Sequence, residues 1–178
     1  MEDHTTIGDM IDFERNIETS FSLTFLPLDI FDNWERAGSL SDFIAGYFAP
    51  YFHSESAHNL ISTIFNELIE NAVKFSRNNS HSIDIVVKKR NKDLIARITN
   101  SIPRHRKKIF IEICRELFQK DLDELYLQKI EAGMDDSRRS GIGLIIIKKD
   151  YDIKIGFDFF VDLNSIMKVA VSLELTLQ

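Results

Sequence analysis

Three polar side chains in one amphipathic segment could act together on a phosphate group or a metal ion. The segment NELIENAVKFS at residues 66–76 spaces Glu67, Asn71 and Lys74 four and three residues apart, so a helix would align them in one stripe. Apolar residues at 61, 64, 68, 72 and 75 form a neighbouring face, which predicts that the helix is buried on that side. A carboxylate, a carboxamide and an ammonium beside a hydrophobic face could hold a metal-bound phosphate. The solvated side of an ordinary helix could carry the same stripe.

Two further segments have a distinctive local composition. The sequence SGIGL at residues 140–144 opens an apolar helical run with two glycines, which a plain helix start would explain. A predicted strand ends at RITNSIP, residues 97–103, where the carbonyl oxygen of Asn100 could accept a hydrogen bond.

The order of predicted elements indicates how these segments are positioned. Alternation of apolar and polar residues predicts strands at 21–25, 153–161 and 169–177 and a hairpin over 83–99. Helical periodicity predicts helices at 39–48 and 56–75, a helical segment over 105–130 that is broken near Asp121, and a short helix at 141–149. Ser39 or Ser41 is the expected cap of the first helix. We expect residues 1–19 to form a loose or partly helical arm, and residues 133–139 to form a mobile loop.

This order predicts an α+β fold over residues 20–178. We expect a two-layer α/β sandwich with a mixed, mostly antiparallel sheet and helices on one face. The length of 178 residues is that of one domain, and 44% hydrophobic residues with 14 Phe are enough for an aromatic-rich core.

Composition argues against several other classes. A net charge of −6 argues against a nucleic-acid partner. The single cysteine, Cys114, cannot form an internal disulfide, and its apolar neighbours predict an inert packed thiol. No segment approaches the roughly 18 to 20 apolar residues of a membrane span, and the acidic start does not resemble a signal peptide. We therefore expect a cytoplasmic protein that does not bind membranes.

Two of these segments, taken together, resemble a known nucleotide-binding fold. Residues 66–76 resemble the N box of the histidine-kinase-like ATPase (GHKL, Bergerat) fold, and residues 140–144 resemble its second glycine box. The resemblance implies that Asn71 binds Mg²⁺ bridging the phosphates of ATP and that Glu67 orients or deprotonates the attacking group. It also implies that Lys74 lies near phosphate oxygens, and that Ser140, Gly141 and Gly143 contact phosphate.

The chain departs from this family where adenine would be recognised. The family's first glycine box reads Asp-x-Gly-x-Gly, and its aspartate accepts a hydrogen bond from the adenine amino group. Here Asn100 stands in the place of that aspartate, and no glycine follows it. The resemblance therefore implies an ATP site whose adenine half is degenerate.

A closer resemblance covers nearly the whole chain. The segments FSLTF (21–25), SDF (41–43) after Trp34, TNSIP (99–103) and LDELY (122–126) are similar to a group of stand-alone bacterial regulators of the cyanobacterial type. The similarity to SiaB-type protein kinases, which act on a small STAS-domain partner, is more distant.

Two functions follow as expectations from these resemblances. The first is a signalling regulator with a degenerate ATP-binding domain that acts by partner binding or partner switching, the partner being a STAS-domain or response-regulator protein. The alternative is an active Ser/Thr protein kinase that uses Mg-ATP to phosphorylate a STAS-domain partner. The exposed edge of a hairpin could also pair two copies into a homodimer.

Overall fold

The computed structural model describes residues 4–76, 81–131, 142–151 and 153–177. The strands in these ranges are β1 (Thr5–Gly8), β2 (Thr19–Phe25), β3 (Ile83–Arg90), β4 (Asp93–Ser101), β5 (Ile153–Val161) and β6 (Met167–Thr176). The helices are α1 (Pro27–Phe31), α2 (Glu35–Phe48), α3 (Ala57–Phe75), α4 (Lys107–Gln119), α5 (Leu122–Glu131) and α6 (Ile142–Asp150). Short 3₁₀ turns follow α2 at Ala49–Tyr51 and precede α4 at Arg104–Arg106.

The six strands form one sheet in the order β1-β5-β6-β4-β3-β2. All five pairings between these described strands are antiparallel, so the α+β prediction is confirmed while the expected mixed character is not found among them. The two predicted hairpins are confirmed as β3–β4 and β5–β6. Asn91, in the first of these turns, has a φ of 53°, a left-handed conformation that asparagine tolerates well.

Helix α3 and one face of the sheet form most of the hydrophobic core. The predicted apolar stripe of α3 is confirmed, since Ile61, Ile64, Leu68 and Ala72 are buried. Alternate residues of β3, such as Ile83, Ile85 and Val87, are completely buried and join the same core cluster. Side chains of a strand point alternately to the two faces of the sheet, so every second one lies beneath the helices.

Local hydrogen bonds explain where two helix boundaries fall. Helix α2 begins at Glu35 rather than near Ser39, and the Asn33 side chain accepts a hydrogen bond from the Glu35 N–H at 3.1 Å. Ser39 and Ser41 lie inside the helix, where their hydroxyls donate to backbone carbonyls at 3.1 and 2.8 Å. The predicted capping role of these serines is therefore wrong. The predicted break near Asp121 is confirmed, since its carboxylate accepts hydrogen bonds from the first backbone N–H groups of α5 at 3.0 Å.

The N-terminal segment differs from the loose or helical arm that we expected. Thr5–Gly8 forms β1 and pairs with β5 at the edge of the sheet. Residues 9–18 then run across the sheet face opposite α3, where Phe13 is buried and lies 4.0 Å from the Arg97 guanidinium. Lys88 and Arg90 donate to backbone carbonyls of this segment at 2.8 and 3.1 Å. The expected mobile loop at 133–139 lies outside the described residues.

The contact of Phe13 with the sheet should contribute measurably to stability. Phe13 is 5% exposed, whereas Met10 in the same segment is 92% exposed. We expect Phe13→Ala to lower the free energy of unfolding by about 2–4 kcal/mol, because it removes a buried aromatic ring and leaves a gap. Met10→Ala should change it by less than about 0.5 kcal/mol. Urea unfolding of both variants tests this, and equal midpoints would contradict the assigned packing.

Candidate functional site

A cavity lies between the helical layer and the sheet. Its volume is about 70 Å³, several times the roughly 10–15 Å³ that one water molecule requires on this scale. Its walls come from α3, α4 and α6 on one side and from β4, β5 and β6 on the other. Fourteen side chains line it, and only Asn71 and Asn100 among them carry an amide. Cys114 adds a thiol, and the remaining walls are aliphatic or aromatic.

Simple periodicity brings these walls together. Helix α3 supplies Leu68, Asn71, Ala72 and Phe75, whose spacings of three, four and seven place them on one side of the helix. The strands contribute alternate residues, such as Phe157 with Phe159 in β5 and Val169 with Val171 in β6. Helix α4 closes the cavity with Phe110, Ile113 and Cys114.

The two asparagines give this apolar cavity its hydrogen-bonding capacity. The amide nitrogen of Asn71 is buried and has no hydrogen-bond partner among the described residues. Asn100 is 2% exposed, and its amide nitrogen donates to the backbone carbonyl of Ser101 at 3.1 Å. A buried donor without a partner costs about 1–3 kcal/mol. An acceptor atom on a ligand in the cavity would recover this free energy.

Glu67 lies one turn before Asn71 and contacts the start of α6. Gly143 is in the first turn of α6, and a Cβ atom at this position would overlap the Glu67 carboxylate. Burial raises the pKa of Glu67, as does the negative charge of Glu70 to a smaller extent, while Lys74 opposes the shift. The absence of a side chain at Gly143 thus makes room for a half-buried carboxylate with increased basicity.

Lys74 is engaged away from the cavity. Its ammonium pairs with Glu70 at 2.9 Å and lies 5.6 Å from the centre of the Trp34 ring. Asn66 donates to the other oxygen of Glu70 at 3.0 Å. Lys74 is not among the residues that line the cavity, and its role near phosphate stays a prediction. Sequence reasoning missed Glu70 as the organising residue, although the 66–70–74 spacing was a signal for it.

The structure thus brings together some of the expected site residues. Asn71 and Asn100 line one cavity, and Glu67 contacts Gly143 beside it. Ser140 and Gly141 lie outside the described residues. The aromatic walls were not predicted as part of the site, and the high phenylalanine content was the only sequence signal for them.

Cys114 is a buried wall residue with low reactivity. It is 7% exposed, and burial raises the pKa of its thiol to about 12, so it is neutral at physiological pH. This agrees with the expected inert thiol. Because the chain has a single cysteine, the rate of chemical labelling reports on the exposure of this one thiol in the cavity wall.

No model of a known protein family matches this chain, and no curated protein matches it. The described ranges contain no group of three or more His, Cys, Asp or Glu residues that could hold a metal ion by themselves. Within the same ranges, every helix is too short or too polar to cross a membrane. The functional assignment therefore depends on the cavity and on the residues around it.

The raised pKa of Glu67 predicts a pH-dependent effect on stability. The charged carboxylate is disfavoured in the folded state, so its cost appears as pH rises above 4.5, the ordinary pKa of a glutamate side chain. We expect Glu67→Gln to stabilise the protein at pH 7–8 and to have little effect near pH 3–4. The gain should stay below about 1 kcal/mol, because the group is partly solvated. Thermal unfolding across this pH range measures it.

Glu112→Gln is the matched control, because it removes one negative charge from an exposed position of α4. This control should not reproduce the pH dependence. A stability difference between Glu67→Gln and the wild type that is constant from pH 4 to 8 would contradict the assigned environment of Glu67.

Proposed function

We propose that this protein is a signalling regulator built on the histidine-kinase-like ATPase (Bergerat) fold, in which a ligand in the cavity controls the binding of a protein partner. The observation that carries this proposal is the pair of asparagines, Asn71 from α3 and Asn100 from β4, at one otherwise apolar cavity. The chain order of α3, the β3–β4 hairpin, α6 and the β5–β6 hairpin agrees with the resemblance on which the proposal also depends.

The cavity suits the ring part of a nucleotide. Aromatic and aliphatic walls favour a planar heterocycle, and two amides can exchange hydrogen bonds with its ring nitrogens or amino group. Asn100 replaces a charged aspartate with a neutral amide, which binds a base less selectively. This supports a module in which occupancy of the cavity affects partner binding without efficient turnover.

The fit of the described residues to Mg²⁺ and the phosphates of ATP is weaker. Asn71 supplies an amide oxygen of the kind that Mg²⁺ accepts, with phosphate and water oxygens completing such a site. Lys74, however, is paired with Glu70, so its charge is partly neutralised. Mg²⁺ held at Asn71 would supply positive charge that offsets part of the negative charge of the phosphate oxygens. This balance favours weak nucleotide binding, and a STAS-domain or response-regulator protein is the partner class that we propose.

Isothermal titration calorimetry with Mg-ATP and with adenosine tests the ligand. Both should bind, since the ring occupies the cavity, and both should slow the labelling of Cys114. Asn71→Ala should weaken Mg-ATP binding about tenfold, the loss of one hydrogen bond worth about 1.4 kcal/mol. It should also remove the dependence of binding on Mg²⁺.

Asn66→Ala is the control, because Asn66 lies on the same helix but bonds to Glu70 and is not a wall residue. Its affinity for Mg-ATP should equal that of the wild type. No heat of binding at millimolar ligand, together with unchanged Cys114 labelling, would refute the nucleotide assignment.

One observation favours a second function, a Ser/Thr protein kinase that phosphorylates a STAS-domain partner with Mg-ATP. The half-buried Glu67, with its raised pKa, is a better proton acceptor than an exposed carboxylate. In such a kinase Glu67 would accept the proton of the attacking hydroxyl group, and Asn71 would help to hold the metal.

This alternative makes a separate prediction for Glu67. If the protein is a kinase, Glu67→Ala should spare ATP binding and lower the rate of phosphotransfer to a STAS-domain protein by about 10²–10⁴-fold, the usual contribution of a general base. Radiolabelled ATP and calorimetry on the same sample separate the two effects. Unchanged phosphotransfer in Glu67→Ala would exclude this role for Glu67, and no transfer by the wild type leaves the regulator as the better proposal.

A further inference from the structure

Strand β2 forms one edge of the sheet and has unusual properties for an edge strand. It stands last in the strand order and pairs with β3 over all seven of its residues. Its sequence, TSFSLTF, contains no charged residue and no proline. Ser20, Ser22 and Thr24 are exposed. Edge strands normally carry charges or proline that prevent pairing with another strand, and β2 lacks these protections.

The opposite edge is protected in the usual way. Strand β1 has only four residues and ends at Gly8, whose φ of 85° turns the chain away. The His4 imidazole and the Asp158 carboxylate lie 2.6 Å apart beside it. The two edge strands therefore differ in length, and among the described strands β2 offers the longer neutral edge.

Exposed aromatic side chains extend the β2 edge onto α2. Phe43 is 56% exposed, Tyr47 is 43% exposed and Tyr51 is 48% exposed. The rings of Phe43 and Tyr47 lie 5.7 and 5.9 Å from that of Phe21 in β2, so strand and helix present one continuous apolar surface. Gly46 lies between them, and space is open where its side chain would be. A single exposed aromatic residue is ordinary, but a group of three beside the outer edge of a sheet marks an interaction surface.

We propose that this surface binds a second copy of the chain, with the two β2 strands pairing antiparallel about a two-fold axis at Ser22. Ser22 is the middle residue of β2, so such an axis places every residue of one β2 strand opposite a residue of the other. The two sheets then join into one of twelve strands. The aromatic groups of both copies meet on the helical side of this sheet.

The net charge of the chain and the area that a dimer would bury both agree with a second copy of the chain as the partner. The chain has a net charge of −6, so two copies approach most easily at a neutral seam, and β2 supplies one. Glu18, next to β2, is already neutralised by its ion pair with Lys89. Three half-exposed rings contribute roughly 300 Å² per copy. Together with two seven-residue strand edges, the total reaches about the 1,000 Å² of a small specific interface.

Analytical ultracentrifugation of the full chain over 1–200 µM tests this proposal. The wild type should sediment with twice the chain mass of 20.6 kDa at the upper concentrations. Ser22→Lys and Ser22→Glu each place two like charges opposite one another at the axis, and each should weaken dimerisation at least tenfold. An equimolar mixture of the two variants should recover the dimer, because the charges are then opposite.

Thr6→Lys is the matched control, since it adds the same charge to an exposed position of the other edge strand and should leave the dimer intact. Phe43→Gln should also weaken the dimer, and it leaves the sequence of β2 unchanged. Circular dichroism verifies that each variant is folded, and if Ser22→Lys does not fold, Phe43→Gln provides the decisive comparison. A wild type that is monomeric at 200 µM, or a dimer that survives in every folded β2 and α2 variant, would overturn the proposal.

Discussion

The rest of the structure depends on the burial of α3 between α2 and the sheet. Its nineteen residues include eight buried ones, which cover more than the single stripe that a surface helix needs. A helix held on several sides cannot rotate about its axis without exposing apolar surface, at about 25 cal/mol per Å². The direction of every other side chain on α3 is therefore fixed. Asn71 is directed to the cavity, Glu67 to the start of α6, and Glu70 to the outer edge with Lys74.

A cavity persists beside α3 because its walls are large and rigid. Phe75 and Phe110 meet edge to face at 4.6 Å, an arrangement that holds each ring in place. Turning either ring to fill the space between helix and sheet would break this contact. A cavity of about 70 Å³ costs about 1–2 kcal/mol in lost packing, and the buried Asn71 amide adds its own cost. A ligand could recover both costs, which makes the cavity the candidate functional site.

The parts of this fold that sequence reasoning predicted are those in which neighbouring residues decide the structure. Alternation in β3 and the helical period in α3 directly record which side is buried, and both predictions are confirmed. The strand at Thr5–Gly8 was missed because it forms only where β5, about 150 residues later, offers a partner. The start of α2 was misplaced because Ser39 and Ser41 lie inside the helix and bond to its carbonyls, although serine generally favours the capping position.

The candidate site shows the same division. The sequence placed Glu67, Asn71 and Lys74 in one stripe, which the helix preserves, but it could not show what each side chain would contact. Asn71 and Asn100 share a cavity because β4 pairs with its neighbours in one register, a long-range fact. Lys74 lies beside Trp34, which precedes another helix, and this position favours its pairing with Glu70 on the outer edge.

The distribution of charge around the cavity, within the described residues, bears on the choice between the two proposed functions. A kinase must neutralise the developing charge on a transferred phosphate, which requires cations or backbone dipoles aimed at it. In the described part of the chain, the first turn of α6 faces the carboxylate of Glu67, and Lys74 is neutralised by Glu70. A carboxylate at the positive end of a helix competes with any phosphate that would bind there. A binding module has no such requirement, because it needs only a ring pocket whose occupancy changes the packing of α3, α4 and α6. The apolar cavity with two amides meets this need, and it therefore favours a regulator over an efficient phosphotransfer enzyme.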